Sequence, residues 1–214
     1  MKSSGQASEL EIPAAELKQA AVLMAILVAI QLALLLLLFS SAPSKVPAYL
    51  GFAPGRAGTP GAWVLAALFT AVYVRSAAAI SYVRLYLLRI DMLKCLALVA
   101  AVMAGVVEEV VFRKLVMDAL MDRGFGPVAQ VVASALAFGL AHAVWGLRSL
   151  AAGLNAVLST TLLGGALAIV YLAAGRSLAP CVAAHVLITA LIEPGLILAA
   201  IADRLGVWRE RRQP

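Results

Sequence analysis

Twenty consecutive residues, Ala20 to Phe39, pass without a charge, and comparable apolar runs recur along the chain. At 1.5 Å per residue such a run matches the roughly 30 Å hydrocarbon core of a bilayer. Lipid offers no hydrogen bonds to a backbone, so each run must be a helix. The runs are Ala20 to Phe39, Gly61 to Val83, one starting near Met92, Val128 to Trp145, Leu150 to Ala174, and Leu178 to Ala202. Hydrophobic residues make up 64% of the 214 and charged residues 13%, whereas soluble domains average roughly 45 to 50% and 25%. The expected fold is an all-α polytopic membrane protein of about six transmembrane helices in one bundle, with an intramembrane polar site.

This reading divides the chain into a polar tail or interfacial helix at 1–19, a transmembrane domain at 20–202 and a basic tail at 203–214. Ala20 to Phe39 is longer than a signal-peptide core and Pro43 follows Ser40-Ser41-Ala42, so an uncleaved anchor is expected. Residues 43 to 61, rich in proline and glycine, read as a loop outside the membrane. A net charge of +6 raises the question of nucleic acid, but the basic residues are scattered between apolar runs. The expected partner is therefore the lipid bilayer and not nucleic acid.

Ten Lys and Arg fall on the side holding both termini and six on the other, which favours cytoplasmic termini, with a bacterial cytoplasmic membrane as the expected location. Cys95 and Cys181 stand in separate apolar runs without CxxC spacing and are expected as small core residues.

Against this background Glu108 and Glu109 stand out. No charge separates them from Cys95, so they lie inside the membrane, where a single charge costs about 2.5 to 3.5 kcal/mol on insertion scales. Glu109 and Arg113 are spaced i, i+4 with the acid first, the favourable order for a helical ion pair, and this leaves Glu108 free to titrate. Both histidines, His142 and His185, also fall within apolar runs. Glu108 and His142 are each seventeen residues from Phe125, so an antiparallel hairpin sets them at one height. Phe138 precedes His142 by one turn, and His185, Thr189 and Glu193 share a face at i, i+4, i+8. Glu193 is expected either to pair with Arg75 or to join the site. Asn155, Ser159 and Thr160 read as helix-packing polar residues.

Glu108-Glu109-x-x-x-Arg113, then Phe138-x-x-x-His142, then His185 four residues before Thr189, resembles the three-motif signature of the membrane-embedded CPBP family over about residues 93–200. That family contains type II CAAX prenyl endopeptidases and the Abi, bacteriocin-related bacterial membrane proteins. The resemblance implies a glutamic intramembrane protease without a cofactor, acting on a membrane-associated protein or peptide. It implies that Glu108 and His142 activate a water, that His185 and Thr189 stabilise the oxyanion, and that Arg113 orients Glu109. Thr189 departs from the Asn or Asp usual in the family and offers one hydroxyl donor. Two alternatives stay open at this point. One is a zinc metallopeptidase with Zn²⁺ at Glu108, His142 and His185, although HExxH is absent; the other is a non-catalytic immunity factor or adaptor of the same fold. In a bacterium, where prenylation is generally lacking, the expected substrates are peptides, bacteriocins or C-terminal sorting tails.

Overall fold

The computed structural model describes residues 12–147 and 149–202. The basic tail expected at 203–214 and most of the polar tail expected at 1–19 lie outside them. The described residues form helices and no strand: α1 (Ala14–Phe39), α2 (Val46–Tyr49), α3 (Pro60–Ala77), α4 (Ser81–Tyr86), α5 (Met92–Glu109), α6 (Asp118–Asp122), α7 (Pro127–Ala141), α8 (Leu150–Ala173), α9 (Ala179–Ile192) and α10 (Gly195–Ile201). Five helical segments are long and apolar enough to cross a membrane, six when the bent pair α9 and α10 counts as one. The chain is an all-α polytopic membrane protein.

Local sequence explains where the helices start. Thr59, Asp91 and Ser149 each accept from the backbone amide three residues on, at Ala62, Lys94 and Ala152, and so cap α3, α5 and α8. Between α5 and α6 the helix does not stop but widens, with Val110–Met117 wound as a π-helix. That winding loosens the ladder of backbone hydrogen bonds, and the carbonyl of Phe112 accepts from the Ser134 hydroxyl of α7 at 2.9 Å. Helix α6 is then tied to α8 and the turn that follows it by Asp118, which accepts from the Tyr171 hydroxyl at 3.0 Å and from Arg176 at 2.6 Å.

Several expectations are corrected here. The second span ends at Ala77 rather than Val83, and the residues after it form the separate helix α4. The sixth span is not continuous, since α9 and α10 meet at 54°. Pro194 cannot donate to the ladder, and at the joint Lys94 of α5 donates to the carbonyls of Leu191 and Glu193 at 3.0 and 2.6 Å. Glu193 therefore lies beyond the end of α9 and shares no helical face with His185 and Thr189. Its carboxylate accepts from the Ile197 amide of α10 instead of pairing with Arg75, which is exposed. Cys181 is buried as expected, whereas Cys95 is exposed.

Candidate active site

The site forms where α5 meets α9. Gly105 lets the helices touch: a β-carbon there would stand 2.6 Å from Val186 Cγ2 and 3.3 Å from the Val186 nitrogen. One turn beyond Gly105 on α5 is Glu109, and beside Val186 on α9 is His185. The close approach sets these two against one another, with His185 Nδ1 and Glu109 Oε1 2.7 Å apart. A carboxylate only accepts, so Nδ1 carries the proton and donates it.

Glu109 is wholly buried and is matched by Arg113, also wholly buried, with Nε 3.0 Å from Glu109 Oε2. The pair is close, but the Arg113 N–H is not aimed at the oxygen as a hydrogen bond. Its remaining anchors are the Gly164 carbonyl, which accepts from Nη2 at 3.3 Å, and the Phe138 ring, 4.9 Å from the guanidinium carbon. Gly164 makes room for this, because a β-carbon there would lie 3.1 Å from Phe138. A buried ion pair of this kind holds only while both partners are present.

Glu108 occupies the other side of His185. Its Oε2 stands 3.7 Å from His185 Nε2, too far for a hydrogen bond, and is buried without a hydrogen-bond partner. Its Oε1 accepts from Gln31 of α1 at 3.4 Å. The imidazole of His185 is thus flanked by both carboxylates, fixed by one and facing the free oxygen of the other.

Sequence spacing set Glu108 level with His142, but no hydrogen bond or ion pair joins them among the described residues. His142 is the residue at which α7 ends, and its Nδ1 donates to the Phe138 carbonyl at 2.9 Å. The Phe138 ring stands between the histidines, 4.9 Å from His142 and 5.8 Å from His185. His142 lines a cavity of about 230 Å³ together with Tyr73, Trp145, Asn155, Ser159 and Thr160. Asn155, Ser159 and Thr160 were expected to serve helix packing, and their i, i+4, i+5 spacing could have shown that they share a face. Thr189 is half-buried, and its hydroxyl makes no hydrogen bond among the described residues. No three His, Cys, Asp or Glu residues among the described ones are grouped so as to hold a metal ion.

Two site residues escaped the sequence reading. Gln31 was passed over inside an apolar run, although a polar residue in such a run is itself a signal, and Lys94 was placed only at the start of its span.

Comparison with known proteins matches residues 91–191 to the family described as "Type II CAAX prenyl endopeptidase Rce1-like". The match takes in Glu108, Glu109, Arg113, His142, His185 and Thr189 together. No curated protein and no solved structure matches the chain. A bundle of membrane-spanning helices in which Glu108, Glu109, Arg113, His142 and His185 all fall within one matched segment leads to a single assignment: over residues 91–191 the chain carries a domain of the type II CAAX prenyl endopeptidase Rce1-like family of membrane endopeptidases.

Proposed function

We propose that the protein is a glutamic-type intramembrane endopeptidase that hydrolyses a peptide bond of a membrane-associated protein or peptide. The observation that carries this reading is Glu108 Oε2, a buried carboxylate oxygen without a hydrogen-bond partner beside a histidine held in place by Glu109 and Arg113. Glu108 takes a proton from water as the hydroxide adds to the scissile carbonyl carbon, with His142 orienting the water from the cavity side. His185 and Thr189 stand by the oxygen that gains charge, where donors in a dry site count for most. As the tetrahedral adduct collapses, the C–N bond breaks and Glu108 returns the proton to the departing amine. The predominantly apolar cavity beside His142 suits an uncharged substrate segment. Both termini face the cytoplasm in this reading, following the excess of Lys and Arg on their side.

The test uses purified protein and a quenched fluorescent peptide ending in a prenylated cysteine and three further residues. Release of the C-terminal tripeptide, unchanged by chelators, is expected. Stoichiometric zinc on elemental analysis, lost together with activity on chelation, would make the protein a metallopeptidase. A folded protein that cleaves neither this peptide nor unprenylated membrane peptides would fit the non-catalytic reading.

Thr189→Val tests the oxyanion role with the same peptide, since it keeps the side-chain shape and deletes the hydroxyl. Loss of one such donor lowers the turnover number by about a hundredfold with little change in KM. Thr189→Asn, the residue usual in the family, retains activity or increases it. Equal rates for wild type and Thr189→Val would leave Thr189 as packing alone.

A further inference from the structure

Between Ala20 and Phe39 only one side chain is polar, and it is Gln31. Helix α1, which carries it, lies outside the segment that matches the family. An amide in a membrane-spanning helix is costly unless something within the bundle satisfies it. Gln31 does not face lipid alone. Helix α1 packs along α5, and at the level of the site Gln31 Nε2 donates to Glu108 Oε1 across 3.4 Å. The flipped amide would set two acceptors against one another, so the donor orientation is the chemically consistent one.

The geometry points to Gln31 as a positioning residue for the proteolytic reaction, which fixes the Glu108 carboxylate through Oε1 and leaves Oε2 as the oxygen that takes the proton from water. This rests on the reading of Glu108 as general base. Each neighbour acts on a different oxygen: Gln31 holds Oε1, while Oε2 faces His185 Nε2 at 3.7 Å with no hydrogen bond of its own. Without Gln31 the carboxylate is free to rotate about its last bond, and neither oxygen is committed to the water. A small rotation is costly in rate, because proton transfer requires a donor and acceptor within hydrogen-bond reach. The assignment gives α1 a function beyond anchoring, since it supplies part of the site from outside the matched domain.

The experiment compares wild type, Gln31→Met, Gln31→Asn and Glu108→Gln on the prenylated reporter peptide, with thermal unfolding followed on wild type, Gln31→Met, Glu108→Met and the Gln31→Met/Glu108→Met double variant. Methionine keeps the length of glutamine and suits lipid, so insertion is preserved. Gln31→Met is expected to lower kcat about tenfold, the effect of one lost hydrogen bond to a charged group, while KM stays within about twofold. Gln31→Asn, polar but one methylene too short to reach Glu108, behaves like Gln31→Met. Wild-type kcat in Gln31→Met, a loss confined to KM, or full activity in Gln31→Asn would each overturn the assignment while Glu108→Gln remained inactive. Cleavage by Glu108→Gln at the wild-type rate would bring down the general-base reading itself. The unfolding data need no substrate: methionine at 108 removes the acceptor as methionine at 31 removes the donor, so coupled shifts in the double variant support the contact, and additive shifts overturn it.

Discussion

Replacing Glu108 with glutamine is expected to stop cleavage of the reporter peptide while the protein remains folded in the membrane. The substitution changes almost nothing in shape and keeps an oxygen for Gln31 to donate to, but the new amide cannot take a proton from water. General-base catalysis contributes about 10²- to 10⁴-fold, and in a site without another free carboxylate the loss falls at the upper end. Glu109 does not substitute, because its Oε1 is hydrogen-bonded to His185 and its Oε2 is held in the ion pair with Arg113. The effect belongs in kcat, since in the proposed reaction Glu108 acts on the water and not on the substrate in its ground state. His185→Ala is a less clean test, because it also deprives Glu109 of its closest hydrogen bond. Cleavage by Glu108→Gln at close to the wild-type rate would end the glutamic reading.

Arg113→Met is the substitution with the largest expected effect on stability. It removes the only cation paired with Glu109 among the described residues and leaves a wholly buried carboxylate with His185 as its remaining partner. Breaking a buried ion pair from one side costs about 3 to 5 kcal/mol, a large part of the stability of a typical domain. Thermal unfolding in detergent is expected to show a sharp fall in Tm, with His185 losing its fixed orientation before the bundle comes apart. Adding Glu109→Gln to Arg113→Met removes the uncompensated charge and restores part of the loss. Arg113→Met with an unaltered Tm would show that Glu109 carries no charge to compensate.

The α5 part of the site was legible because its chemistry lies within one helix. The i, i+4 interval of Glu109 and Arg113 is a local relation that helical geometry fixes, and the pair forms despite the π-wound turn between them. Relations between helices were only half legible. Equal distance from the turn gave Glu108 and His142 a common height, but height does not specify azimuth, and Phe138 occupies the space beside His142. The single face expected for His185, Thr189 and Glu193 assumed an unbroken helix, whereas Pro194-Gly195 marks a turn that the hydropathy of the sixth run concealed. Gln31 gives no spacing to read, since its meaning depends on which helix packs against α1.

The bend between α9 and α10 separates two duties that an unbroken span would carry on one rod. His185 rides on the middle of α9, whereas the cavity wall takes Ile192 from the last residue of α9 and Leu196 and Ala200 from α10. Lys94 secures the joint from α5, the helix that also bears both glutamates. The dimensions of the cavity can therefore be altered on α10 without disturbing the imidazole or its carboxylates. If the proposed function holds, such an architecture lets substrate preference drift between related chains while His185 and the two glutamates keep their places.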